Sequence, residues 1–263
     1  MASPSIILIL NPASGSGTHQ LSVRRAAWAR QIDVREVRAG YGAGGMLFDL
    51  DGTLIDSVYQ HVLAWQQALT GFGIDLSVWK IHRRIGMSGG LFVTALLRET
   101  GGSLSADEIR ALNLAHAEAY GQCRDTVRPL PGACELLATL TDHRVPWAIA
   151  TSGLAIAARP ALDMLGLPAD TPLVTRDQVR FAKPDPDLFL AAAARVGTDI
   201  RTAVVIGDSI WDLLAARRAG ALGVGLLSGG YGREELEQAG AYRVYADPAD
   251  LLLHPDEVGI RET

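Results

Sequence analysis

Four groups of polar side chains in this chain have the types and spacing that chemistry on a charged oxyanion requires. The first is Asp49 and Asp51 in "MLFDLDGT". Side chains two apart where a strand ends can face one side. One carboxylate can act as a nucleophile and split a difficult group transfer into two steps. A second one beside it can protonate a leaving oxygen and later deprotonate water. Two anions this close call for a cation, and hard oxygen donors favour Mg2+. The second group is Thr151-Ser152-Gly153 after "WAIA". A hydroxyl and free N–H groups at a strand-to-helix turn suit a phosphate cradle, or a plain helix cap. The third is Lys183 in "FAKPDPDLF", where two prolines stiffen the turn and allow a helix to begin near Pro186. The fourth is Asp208 in "VVIGDSIWD", with Asp212 one helical turn further on the same face. Asp208 suits a direct metal ligand, and Asp212 a residue that orients the site from behind.

Lys183 stands out for a compositional reason. Of 24 basic residues only Lys80 and Lys183 are lysines. A lysine kept in an arginine-rich chain suits a place where a compact charge is needed.

The elements that position these groups follow from the pattern around them. "MLFDLD", "PWAIATSG", "TAVVIGDS" and "LGVGLLSGG" are short apolar runs that close on Gly, Asp, Thr or Ser. Continuous apolar runs suit strands buried on both faces, and their alternation with helical stretches implies a parallel sheet covered by helices. Ligands bind such sheets at the carboxyl ends of the strands. That brings the four groups together although they lie about 100 to 160 positions apart. The fold class expected is α/β, a Rossmann-like parallel sheet core with an inserted α-helical cap subdomain. From residue 57 to 128 no β-like run occurs; "VYQHVLAWQQAL", "GGLFVTALLRE" and "SADEIRALNLAHAEAYGQ" are helical, the last with Ser and Glu placed as a capping box. "RPLPG" is the expected hinge back to the core, with Pro131 starting a helix, and Asp56 is expected to cap the helix near Ser57. The division expected is 1–45 an N-terminal extension, 46–56 and 129–263 the core, and 57–128 the cap.

Composition narrows the function class. The chain has 263 residues, 48% hydrophobic and 20% charged, with a net charge of -5. An acidic balance disfavours a nucleic-acid surface. No apolar run approaches the ~20 residues of a membrane span. Two cysteines make neither a disulfide framework nor a metal-ligand pattern. A cytoplasmic protein, monomeric or weakly dimeric, with no nucleic-acid or membrane partner, is expected.

In their order and spacing these residues resemble the haloacid dehalogenase superfamily. Its first motif matches Asp49-Leu50-Asp51-Gly52-Thr53, its second Thr151, its third Lys183, and its fourth Gly207-Asp208 with Asp212. The resemblance covers about residues 46 to 250. It implies a phosphatase of small phosphorylated metabolites with Asp49 as nucleophile, forming an aspartyl-phosphate, and Asp51 as general acid/base. Mg2+ would be held by Asp49, Asp208 and the Asp51 carbonyl, with Asp212 behind them. Thr151, Ser152 and Lys183 would hold the phosphoryl group. An insertion after the first motif implies the helical cap of phosphoglycolate-phosphatase-like and β-phosphoglucomutase-like members.

Substrate choice then falls to the cap. "IHRRIGMSGG" is expected to face the site, with His82, Arg83, Arg84 and Ser88 toward a polar leaving group. His61 lies at an offset where phosphoglucomutase-like members have a histidine. Those mutases carry a phosphate-binding Arg where Gly89 stands here, and a second-motif Lys absent here. A sugar phosphomutase and a non-catalytic phosphate-binding module are the alternatives. Upstream, "LNPASGSG" resembles the glycine-rich loop of diacylglycerol-kinase-like lipid kinases over about 40 residues, without their following G-G-D-G-T. Residues 1–45 are therefore expected to be a packed extension, a remnant of a fused gene or an upstream start assigned wrongly, with anion or nucleotide binding open.

Overall fold

A computed structural model of the chain describes residues 5–9, 33–37, 44–87 and 89–258. Residues 1–42 and 43–263 form two separate units. In the first, β1 (Ser5–Ile9) and β2 (Asp33–Val37) pair in parallel, Ser5 opposite Asp33 and Ile9 opposite Val37. The glycine-rich loop "NPASGSG" lies outside the described residues.

The second unit begins with β3 (Gly45–Phe48) and β4 (Ile55–Asp56). Four helices follow: α1 (Val58–Gly71), α2 (Val78–His82), α3 (Gly89–Thr100) and α4 (Ala106–Cys123). The chain returns through β5 (Arg128–Pro129) and then alternates: α5 (Ala133–Asp142), β6 (Trp147–Ala150), α6 (Ala155–Met164), β7 (Leu173–Val174), α7 (Asp187–Arg195), β8 (Ala203–Gly207), α8 (Ile210–Ala219), β9 (Leu222–Leu226), α9 (Arg233–Ala239), β10 (Ala241–Tyr245) and α10 (Pro248–Leu252).

Six strands form one sheet in the order β10-β9-β8-β3-β6-β7, every pair parallel. β3 and β8 therefore lie at its centre, and β6 and β9 flank them. Alternate side chains face opposite layers, as strand geometry requires. Met46, Phe48, Ile149, Val204 and Ile206 pack with Leu136, Leu137 and Leu140 of α5 and Leu162 of α6. Leu47, Ala148 and Val205 meet Leu188, Phe189 and Ala192 of α7 and Ala215 and Ala216 of α8. Both faces are buried, which is why these strands read as unbroken apolar runs.

The α1–α4 segment has a core of its own. Val62, Trp65, Leu69, Ile81, Phe92, Leu96 and Leu112 are all buried together. Each contributes about 1.5–3 kcal/mol by leaving water, enough to hold a small helical body on two linkers. Ser105 caps α4, its Oγ accepting from Glu108 N at 3.3 Å while Glu108 Oε2 accepts from Ser105 N at 2.7 Å.

The linkers pair with each other. β4 and β5 run antiparallel, Ile55 opposite Pro129 and Asp56 opposite Arg128, and Leu130 N donates to Leu54 O at 2.9 Å. Two hinge expectations are corrected here. Asp56 is an exposed residue of β4, not the cap of α1; Ser57 holds that place. Pro131 does not begin a helix: it lies in a turn, and α5 starts at Ala133 after Gly132. Among the described residues no helix is long and apolar enough to cross a membrane.

Candidate active site

Asp49 follows β3 directly, and its N–H donates to Ile206 O of β8 at 2.9 Å, so the ladder pins the backbone one residue past the strand. The chain then turns. Gly52 has φ +83°, and a Cβ there would lie 2.5 Å from Asp208 Oδ2. Only glycine satisfies both the left-handed backbone and the close approach. Gly52 N donates to Ile55 O at 2.7 Å and closes the turn. Asp51 is left above the strand ends, its carboxylate still 26% exposed.

Asp208 ends β8 in the same way. Its Oδ1 accepts from Thr53 Oγ1 at 3.0 Å, a buried bond that ties the two turns together. A Cβ on Gly229, in the loop after β9, would stand 1.8 Å from Asp208 Oδ2, so this backbone lies directly against the carboxylate. Asp212 sits in the first turn of α8. Its Oδ2 accepts from Ser209 N at 3.1 Å and Ser209 Oγ at 2.5 Å, which holds the turn after Asp208.

Lys183 is fully buried. Its Nζ donates to Asp49 Oδ1 and lies 2.8 Å from Asp212 Oδ1, with the Phe189 ring 5.0 Å away. The lysine thus bridges the two halves of the constellation. Thr151 ends β6, buried, with N–H donating to Val174 O at 3.0 Å and Oγ1 accepting from Gly153 N at 2.9 Å. Ser152 uses its hydroxyl elsewhere. Its hydroxyl donates to Gly86 O of the cap at 2.9 Å, because the cap loop lies over this turn.

The electrostatics follow from burial and crowding. Burial pushes Asp49 up to about 7, opposed by Lys183 and reinforced by Asp212 and Asp51. Asp208 is also pushed well up, by burial first and then by Asp212 and Asp49. Lys183 stays above its ordinary range: burial opposes its charge, but Asp212 and Asp49 outweigh burial. Asp51 is the exception. Its surroundings push it up, but His61, Ser57 and Lys183 together hold it below the ordinary carboxylate range.

These groups suit a hard cation. Asp49, Asp208 and Asp212 each offer a carboxylate oxygen, all within 4.8 Å of one another, and all three are buried. Three buried carboxylates against one lysine leave an excess of negative charge in low dielectric. An all-oxygen donor set with that charge fits Mg2+ better than a softer ion.

The residues expected to lie in the cap divide. His61 reaches the constellation: Nε2 lies 3.3 Å from Asp51 Oδ1, and Ser57 Oγ donates to the same oxygen at 2.7 Å. His61 Nδ1 lies 3.2 Å from His116 Nε2, and its ring stacks on Tyr120 at 3.9 Å. Arg84 turns away, to Glu99 of α3 and Lys80 O. Ser88 lies outside the described residues. Sequence reasoning placed Thr53 in the first motif without a role and missed Ser57, His116 and Tyr120; each makes a contact that sequence spacing alone does not announce, His116 being 55 residues from His61.

Comparison with known proteins places this arrangement. Residues 44–220 match the family model for haloacid dehalogenase-like hydrolase. Hexitol phosphatase A of Escherichia coli K12 is 35% identical over 179 residues, covering 67% of this chain and 79% of that protein. The phosphoglycolate phosphatase of Caulobacter vibrioides is 31% identical over 214 residues, covering 79% and 85%. The crystal structure of a hydrolase from Pseudomonas syringae superposes with a TM-score of 0.80 at 54% identity, covering 82% of this chain and 99% of that one. With the motif residues gathered at the ends of β3, β6 and β8, the chain belongs to the haloacid dehalogenase-like hydrolases.

Proposed function

We propose that this hydrolase, which acts on phosphate monoesters, is a Mg2+-dependent phosphatase of a small phosphorylated metabolite that works through an aspartyl-phosphate on Asp49. The observation that carries the reading is the buried Asp49–Lys183–Asp212 chain beside Asp208, with the part-exposed Asp51 held above it by Ser57 and His61. In this reading Asp49 is the nucleophile. One of its oxygens bonds to phosphorus as the bond from phosphorus to the leaving oxygen breaks. The phosphate dianion beside Asp51 favours its protonated form, which gives that oxygen a proton; the resulting carboxylate then takes one from the water that attacks the acyl phosphate and releases inorganic phosphate. Lys183 and Thr151 hold the phosphoryl oxygens, and Ser152 contributes its backbone N–H rather than its hydroxyl. Asp49, Asp208 and the Asp51 carbonyl would hold Mg2+, with Asp212 as a further oxygen donor in the same cluster; when bound, the ion offsets the negative charge between carboxylates and phosphate.

His61 and Ser57 orient Asp51 from the cap side, so the proton-transfer group is aligned when the cap sits on the core. The reading includes the expected division, core 46–56 and 129–263, cap 57–128, and extension 1–45. Its test is phosphate release from p-nitrophenyl phosphate with Mg2+. The activity should vanish with chelator and with Asp49→Asn. Turnover retained in Asp49→Asn would refute the nucleophile. Isomerisation of a sugar 1-phosphate outpacing phosphate release would favour a phosphomutase instead.

A further inference from the structure

The cap crosses the catalytic centre on one short loop, and that loop's own bonds say what leaving group it can accept. His82 Nε2 lies 2.7 Å from Gly229 O, in the loop after β9. Arg83 O accepts from Tyr231 OH at 2.9 Å and from Trp211 Nε1 of α8 at 3.3 Å. Gly86 O accepts from Ser152 Oγ after β6. The loop therefore runs from β9 to β6, across β8 and β3, which carry Asp208, Asp49 and Asp51. It lies close: a Cβ on Gly86 would stand 2.8 Å from Ser209 Oγ. Residues 82–86 are the roof of the phosphoryl site.

A roof that reads a carboxylate or a second phosphate must present a cation inward. Both of its guanidinium groups are committed elsewhere. Arg83 pairs with both oxygens of Glu235 on α9 and lies over the Tyr231 ring at 4.2 Å. Arg84 pairs with Glu99 and donates to Lys80 O. His82 is held by Gly229 O and stacks on Tyr59. Among the described residues the floor offers no spare cation either, because Lys183 lies between Asp49 and Asp212. A second anion on the substrate would face four carboxylates, Asp49, Asp51, Asp208 and Asp212, whose charge Lys183 and a bound Mg2+ only partly offset, with no cation among the described roof residues to receive it. Like charges at low dielectric exclude a ligand more sharply than missing contacts do.

We infer that the leaving group this site accepts is an uncharged alcohol, and that carboxylate- and phosphate-bearing leaving groups are rejected. The inference rests on the phosphatase reading above and narrows it. Matched substrates test it on the wild-type enzyme. Glucitol 6-phosphate and gluconate 6-phosphate differ only as CH2OH against carboxylate, as do 2-hydroxyethyl phosphate and phosphoglycolate. The neutral member of each pair should show a kcat/KM higher by about tenfold to thirtyfold, the discrimination expected from one uncompensated charge about 8–12 Å from another at an effective dielectric near 20. Arg83→Gln and Arg84→Gln should change both members of a pair by the same factor. A selective fall of the carboxylate member in either variant would mean that the arginine reads an anion, and would overturn the inference. So would p-nitrophenyl phosphate turnover in the wild type without preference for the neutral members, including turnover of neither; that result leaves the phosphatase reading standing. Absence of turnover with every substrate, the aryl phosphate included, removes the phosphatase reading and the inference with it.

Discussion

At the scale of single residues, the site is a balance between carboxylates that want a cation and a fold that buries them. Lys183 is the only cation in direct contact with Asp49 and Asp212 among the described residues. Lys183→Met should therefore leave two buried carboxylates uncompensated and lower stability by about 3–5 kcal/mol, read by urea unfolding without added metal. In the proposed mechanism Asp51 is the residue whose proton matters, and the effect of removing it should depend on the leaving group. With Asp51→Asn, an alkyl phosphate should lose about 10²–10⁴-fold in kcat/KM. p-Nitrophenolate leaves without a proton, so the same variant should release about one equivalent of nitrophenol in a rapid burst and then stall. A stopped-flow trace with no burst would argue against the division of labour between Asp49 and Asp51.

At the scale of elements, the loops after the central strands matter more than the strands. The loop after β9 touches Asp208 through Gly229 and the cap through Gly229 O and Tyr231. Gly229→Ala would drive a methyl into Asp208. The expected result is a folded protein by far-ultraviolet circular dichroism whose half-saturating Mg2+ concentration for phosphate release rises several-fold. The cap helices contribute an element-level effect of their own. His116 of α4 is half-buried beside His61, and its loss of solvent, reinforced by the neighbouring His61, holds its pKa down to about 3. The unfolded chain then binds a proton at His116 between about pH 6.5 and 3 that the folded protein refuses. Folding stability should fall as pH drops through that window. His116→Gln should flatten the slope of unfolding free energy against pH there, unless the histidine is charged when folded.

At the scale of the whole molecule, the β4–β5 linker pair is where the chain leaves and re-enters the sheet domain, and the cap between them has a separate core. Metal binding should be felt throughout. Mg2+ should raise the thermal midpoint of the wild-type protein in proportion to the logarithm of its concentration once the site is saturated. Asp208→Ala should abolish most of that rise. An equal rise in the variant would place the stabilising ion somewhere other than the acidic cluster.

Much of this was legible in the residues. The order of Asp49, Asp51, Thr151, Lys183 and Asp208 and the apolar runs before most of them determined the fold class and the gathering point, because a parallel sheet buried on both faces brings the ends of its strands together. The cap's helical character was equally readable from its periodicity. What only the tertiary structure decided lies across the seam between cap and core. No local pattern says that Ser152 gives its hydroxyl to Gly86, that Arg83 is drawn to Glu235 152 positions away, or that Arg84 folds back on Glu99. An arginine in a sequence is a charge with a long flexible stem, and whether it meets a substrate or a glutamate depends on which partner the packed chain brings within reach. The candidate catalytic residues are set by the ends of strands, which the sequence announces; the residues proposed to choose the substrate are set by how the helical segment meets the sheet, which it does not.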